Sequence, residues 1–376
     1  MNETTTSKER DYYVQAAKKM LADFGLPRII ILVTFILLFV LAGIYDMNLP
    51  SFFGDVLRRW GMFGILVLAM VPSIQSGIGP NFGVTVGILG GLVGAVLSIE
   101  MRYAGMLDFI ASPTWFSIAG ALLAIVAGVG IASVLGILYG MLLNRVKGSE
   151  MAVSVYVGFS AVAAFNILWA LMPVRSGILI LPASGRGLRQ MVNLRDDFGD
   201  AFNSLFRFTI DFSGGTMTVH TGLLLVFFLA CFFMWLFMRS RLGMMMSAAG
   251  ANPSYARASG INVEKMRILG TAISTALGAV GIIVYAQAFG FLQLYTAPLF
   301  MGFTAVASVL IGGATVRRAR VFDVLVGAFL FNGILTIALP LINVMMPDVA
   351  GVPEMLRLIV TNGIILYALS KAKGGR

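Results

Sequence analysis

The chain reads as an all-α, polytopic helical membrane protein of about ten transmembrane helices, and three observations predict it. Of its 376 residues, 59% are hydrophobic and only 12% are charged, about half the charged share of a soluble domain. Mean hydropathy is +0.91. Apolar runs of about 20 residues, the length that crosses a bilayer, recur along the chain. These runs are continuous and do not alternate every second residue, which disfavours a strand barrel. The 43 glycines and 22 methionines suit close helix packing in lipid.

Residues 1–27 form the first segment. Val14, Ala17, Leu21 and Phe24 recur at helical spacing with Lys18 and Lys19 between them, which predicts an amphipathic helix on the cytoplasmic membrane surface. The segment lacks the compact apolar core and small-residue cleavage site of a secretory leader. The membrane domain, 28–376, follows, with spans expected near 28–45, 60–77, 82–99, 115–143, 150–173, 220–239, 267–287, 298–314, 321–343 and 355–371. With the N-terminus inside, eighteen of the 27 Lys and Arg fall on the cytoplasmic side. The net charge of +10 therefore reports topology, with both termini cytoplasmic, and speaks against a nucleic-acid partner. Arg58 and Arg59, at the outer start of the second span, are the exception.

Between the second and third spans, Ser76-Gly-Ile-Gly-Pro-Asn-Phe-Gly83 cannot continue a regular helix. It is either a tight inner turn or a break that lines a translocation path, with Gln75, Ser76 and Asn81 as polar neighbours for the freed backbone. Small-xxx-small pairs at Gly83/Gly87, Gly87/Gly91 and Gly90/Gly94, and again at Gly136/Gly140, predict close helix contacts. The long segment 174–219 contains the turn cluster Pro182–Gly187 and the charged stretch Arg195-Asp-Asp197, and is expected to form one or two surface helices outside the membrane.

The inner loop 240–266 carries the most specific local code. Asn252 can cap a helix with Pro253 at its first position, Gly260 can end it in a left-handed conformation, and Asn262 can cap the next helix with Glu264 in its first turn. Two short capped helices make a rigid knob at the start of the seventh span, suited to receive force from a partner or, more plainly, a surface loop.

The chemistry that is missing narrows the function. His220 is the single histidine and Cys231 the single cysteine, so no metal cluster, CxxC site or internal disulfide is expected. No GxxxxGK[ST] loop occurs, so no ATP chemistry is expected of this chain itself. Glu100, Asp108, Glu150, Asp323 and Glu354 fall at or beyond span ends, which weakens an ion-coupled secondary transporter; a sodium site built from backbone carbonyls stays open. No nucleophile and base can be paired for an intramembrane enzyme.

From Arg241 onward the chain resembles the permease subunits of bacterial binding-protein-dependent ABC importers, in the branch serving ribose, galactose and related simple sugars. The residues that carry this are Arg241-Leu-Gly, Gly250-Ala-Asn-Pro-Ser-Tyr-Ala-Arg-Ala-Ser-Gly-Ile-Asn-Val263, Val309-Leu-Ile-Gly-Gly-Ala314 and Gly327-Ala-Phe-Leu-Phe331. Upstream, Phe63–Met70, Gly77–Gly87 and Gly140–Arg145 are similar to the same family. The resemblance implies that Asn252, Pro253, Tyr255, Ala256, Arg257, Gly260, Ile261 and Asn262 couple to a separate ABC ATPase subunit, which binds the ATP. It also implies a second permease subunit, as a homo- or heterodimer, an extracytoplasmic solute-binding protein, and a place in the cell (inner) membrane with no cofactor of its own. Many sugar permeases carry an Ile-Asp-Leu-Ser type sequence at the break, where this chain has Gly79-Pro-Asn-Phe-Gly83, so nucleosides and branched-chain amino acids stand beside sugars. Gln75, Asn81, Phe82, Asn166, Trp169 and Asn332 are the candidate pathway residues, as amides or aromatics expected inside a helical bundle. Arg175, Arg186, Arg189, Asp196 and Asp197 are the candidate docking residues for the binding protein.

Overall fold

A computed structural model describes residues 26–181 and 187–345, and the isolated positions 355, 359, 362, 363 and 366. The expected N-terminal surface helix, Arg186 and nearly all of the last expected span lie outside the described residues. The chain is mostly helical, and seven helices are long and apolar enough to cross a membrane: Leu49–Gln75, Phe82–Tyr103, Pro113–Arg145, Glu150–Leu171, Thr221–Arg239, Val263–Phe289 and Val321–Met345. Two shorter apolar helices, Arg28–Ile44 and Ala297–Ile311, stand where spans one and eight are expected.

In chain order, α1 is Leu26–Ile44, α2 Leu49–Leu68, α3 Met70–Gln75, α4 Thr85–Tyr103, α5 Pro113–Arg145 and α6 Glu150–Leu171. Strands β1 (Met191–Asn193), β2 (Arg207–Phe212) and β3 (Gly215–His220) precede α7 (Thr221–Arg239), α8 (Arg241–Ala251), α9 (Pro253–Ala258) and α10 (Val263–Phe289). Strand β4 (Phe291–Gln293) leads to α11 (Ala297–Ile311) and α12 (Val321–Met345).

Helix α4 sits at the centre, wedged between α5 and α10, and its glycines explain how. Gly87 and Gly91 meet the backbone of Thr275 and Ala279 on α10, and Gly90 and Gly94 meet Ala132 and Gly128 on α5. With no Cβ at the contact the three backbones approach closely, and van der Waals packing replaces the hydrophobic drive that lipid does not supply. A second core joins α1, α2, α11 and α12 around Phe35, Phe331 and Ile334. There Arg28 pairs with Asp323 at 3.1 Å, and Trp60 Nε1 donates to Leu325 O at 3.0 Å.

Two expectations are corrected. The second helix begins at Leu49, not near 60, because Asn48 accepts from Ser51 N at 3.0 Å with Pro50 in the first turn. Arg58 and Arg59 are therefore helical residues, and Arg58 donates to Ala288 O. The segment 174–219 holds no surface helix among the described residues. It holds an antiparallel hairpin, β2 with β3, closed at Phe212↔Gly215, and strand β1, which pairs with β4 just beyond α10. The all-α expectation is thus amended by 6% strand.

Candidate functional site

The knob is built as its sequence dictates. Asn252 Oδ1 accepts from Tyr255 N at 3.0 Å and Asn262 Oδ1 from Lys265 N at 2.9 Å, so side chains satisfy the first free N–H groups of α9 and α10. Between them Gly260 takes φ 80°, the left-handed conformation that ends α9. Ala256 is the buried anchor, packed with Ala249 and Val263 and flanked by Ile261. Asn252, Pro253, Tyr255, Arg257, Gly260 and Asn262 are exposed. The knob therefore turns a polar, aromatic surface outward on a rigid base.

The break lies directly behind it. Gly77 and Gly79 adopt φ 80° and 94°, and the backbone of Gln75–Gly77 rests on Gly250 so closely that a Cβ there would collide with Gln75 O. Gln75 Nε2 donates to Ala319 O at 2.6 Å. Asn81 is fully buried: its Nδ2 donates to Ser274 Oγ at 2.8 Å, and the Tyr139 hydroxyl lies 3.1 Å from its Oδ1 and 2.8 Å from Ser154 Oγ. One polar chain thus joins the break to α5, α6 and α10, satisfying groups that have no water to turn to. On the knob side, Arg267 of α10 is ion-paired with Glu150 at the start of α6, and Lys147 with Glu264 at 2.8 Å.

Two spaces border the break. A cavity of about 780 Å³ on the knob side is lined by Gly77–Gly79, Gly148–Ala152, Gly250–Pro253, Val316 and Arg317. Further in, a cleft of only about 10 Å³ is lined by Phe82, Thr85, Val155, Gly158, Phe159, Val162, Pro298, Leu299 and Phe303.

At its other end α10 is clamped. Phe202 N donates to Gln287 Oε1 at 3.0 Å, Asp200 N to Gln287 O at 2.9 Å, Asn203 Nδ2 to Ala288 O at 3.2 Å, and Leu194 N to Gly290 O at 3.0 Å. The segment after β1 therefore satisfies the terminal carbonyls of the helix.

The structure brings only part of the expected site together. Gln75, Asn81 and Phe82 meet at the break. Asn166 and Trp169 lie toward the far end of α6, with Asn166 Oδ1 and Trp169 Nε1 buried and without a hydrogen-bond partner. Asn332 bonds its own helix, through Ala328 O at 2.9 Å, and lines neither space. Of the docking residues, Arg175 and Asp196 are exposed, whereas Arg189 is half-buried and bonded to Ile180 O at 2.8 Å. Asp197 is buried and paired with Arg102 at 2.7 Å, so its carboxylate is engaged internally, and burial pushes its pKa up against the pull of Arg102. Tyr139, Ser154, Ser274 and the Arg267–Glu150 pair escaped the sequence reading. Buried Ser and Tyr on apolar helices were the available signal. Among the described residues no group of three or more His, Cys, Asp or Glu is placed to hold a metal.

The chain is 27% identical over 296 residues to the galactofuranose transporter permease protein YtfT of Escherichia coli, covering 74% of this chain and 82% of that one. It is 24% identical over 319 residues to the ribose import permease protein RbsC of Haemophilus influenzae, covering 83% and 85%. It is 28% identical to the nucleoside ABC transporter permease protein NupB of Lactococcus lactis over 157 residues, 41% of this chain and 40% of that one. No solved structure matches the chain. Residues 52–369 match the family described as branched-chain amino acid transport system / permease component, and with seven helices apolar and long enough to cross a membrane the chain is a multi-pass membrane protein that belongs to this family of ABC permeases.

Proposed function

We propose that the chain is the pathway subunit of an ATP-driven importer for a small polar solute, a simple sugar before a nucleoside. It works with a second permease subunit, a separate ATPase and an extracytoplasmic solute-binding protein. In this reading about ten helices cross the cell membrane, with the knob and both termini in the cytoplasm, as the charge bias of the loops directs. The observation that carries the proposal is the knob. Exposed Tyr255 and Arg257 stand on α9, capped by Asn252; the turn 259–262 joins it to α10, and the packing of Ala256 on Ala249 and Val263 ties the two helices together. A partner that pushes on α9 therefore moves a helix of 27 residues, about 40 Å long. The same motion reaches the break, through Gly250 against Gly77 and through Ser274 against Asn81. The sugar preference rests on the galactofuranose and ribose permeases that the chain resembles over most of its length; the nucleoside alternative rests on a shorter match.

In proteoliposomes holding the complete transporter, Arg257→Glu and Gly260→Val are expected to abolish binding-protein-stimulated ATPase activity while the binding protein still captures solute. Full stimulation in both variants would overturn the coupling role. An ion-coupled carrier is disfavoured because Glu150 and Asp323, carboxylates at helix ends, are already paired with Arg267 and Arg28.

A further inference from the structure

We infer that Phe82, Phe159 and Phe303 form the constriction that closes the pathway on the knob side, an inference that rests on the pathway reading above. Three stretches of chain run together from the wide cavity into the narrow cleft. They are the break from Gly77–Gly79 to Phe82, α6 from Met151 to Phe159, and the chain from Arg317 back along α11 to Phe303. The cavity measures about 780 Å³ and the cleft, which shares no lining residue with it, about 10 Å³. The cleft is at the limit for one water molecule and is too small for a sugar.

The three rings line the cleft, Phe82 buried, Phe303 half-buried and Phe159 47% exposed at its edge. Phe82 and Phe303 stand 5.6 Å apart and Phe159 and Phe303 6.1 Å, tilted against one another at ordinary aromatic separations. The backbone beside them is held tight: Gly158 and Gly302 approach Phe82 O, and Thr85 Oγ1 donates to Pro298 O at 3.1 Å. The rings themselves make no hydrogen bond, so they can turn aside without leaving a buried polar group unsatisfied. The polar chain of Asn81, Tyr139, Ser154 and Ser274 begins one residue before Phe82 and keeps its backbone in place. Gly250, two residues before the cap of the knob, touches the same break, so a shift of the knob is delivered to the segment that carries Phe82.

The test is thiol accessibility in membrane vesicles carrying the full transporter, with the single cysteine removed by Cys231→Ala. Ala152→Cys, on the cavity, is expected to react quickly with a membrane-impermeant methanethiosulfonate reagent added from the knob side. Val162→Cys, beyond the rings and buried, is expected to react slowly. Phe159→Ala or Phe303→Ala should raise the Val162→Cys rate about tenfold or more, as an open state otherwise rare becomes populated. The milder Phe303→Leu should give an intermediate rate, and Phe300→Ala, an exposed ring on the same helix, no change. A Val162→Cys rate unmoved by both alanine variants, or an Ala152→Cys that does not react from the knob side, would overturn the inference. The labelling needs neither solute nor ATP. A failure of the transport reading would instead appear as absent ATP-driven uptake by the unmutated transporter, with the labelling pattern intact.

Discussion

The two ends of α10 are finished in opposite ways. At Val263 the helix is capped by its own Asn262, and the knob before it exposes every residue from Asn252 to Gly260 except Ala256. At Phe289 the helix end is gripped from outside: Phe202, Asp200, Asn203, Leu194 and Arg58 all donate to groups between Gln287 and Gly290. The knob end is also tied to its neighbours, by Asn144 on Glu264 O and by the pairs Arg267–Glu150 and Lys147–Glu264. The contrast is therefore one of what holds the backbone: a local cap at one end, a distant segment at the other. An end whose backbone is satisfied locally can meet a partner at little cost, whereas an end whose carbonyls depend on residues 194–203 moves only if that segment moves with it.

Substitutions that break the comparison should separate stability from coupling. Arg267→Ala leaves Glu150 without its partner just inside the knob end. Losing one member of a buried pair costs about 3–5 kcal/mol, seen as the largest fall in Tm of the detergent-purified chain. At the clamped end, Gln287→Leu strands the Phe202 N–H in a buried site and should cost about 1–3 kcal/mol in the same melt. Asn252→Ala removes one cap and should cost about 1 kcal/mol, yet it should depress stimulated ATPase activity more than either, which sharpens the division between the ends. The smallest effect is a pH dependence at the clamp. His220 is half-buried with Nδ1 3.3 Å from Asn203 O, and burial holds its pKa below the ordinary value. Below about pH 6.5 the unfolded chain takes up a proton that the folded chain refuses. Stability therefore declines as pH falls from that value toward the lowered one, and His220→Gln should flatten the decline in a pH series of melts.

Local codes were legible in the sequence and distant pairings were not. The caps at Asn252 and Asn262 and the turn at Gly260 lie within a few residues of the groups they satisfy, so spacing alone predicted α9 and the start of α10. The start of α2 was missed because hydropathy outweighed capping: Asp55, Arg58 and Arg59 dilute its first turns, although Asn48-Leu-Pro-Ser51 is a helix start. The hairpin was missed, surface helices being expected there, although the alternation of Arg207-Phe-Thr-Ile-Asp-Phe212 before Ser213-Gly214 is a local strand signal. The clamp joins 193 to 291 and 202 to 287, and the polar chain joins Asn81 to Tyr139 and Ser274. No window of sequence contains both halves of such a pair. Asp197 reads as a surface charge for the same reason, since its partner Arg102 is nearly a hundred residues away.

The central claim, a transport pathway that carries no power of its own, is tested most directly by solute uptake into proteoliposomes. The chain would be reconstituted with its ATPase and its binding protein, alone and together, and offered radiolabelled ribose, galactose and uridine. The account predicts accumulation of a solute only when all three components and ATP are present, and none in any subset. Accumulation by the purified chain alone, driven by a sodium or proton gradient, would contradict it.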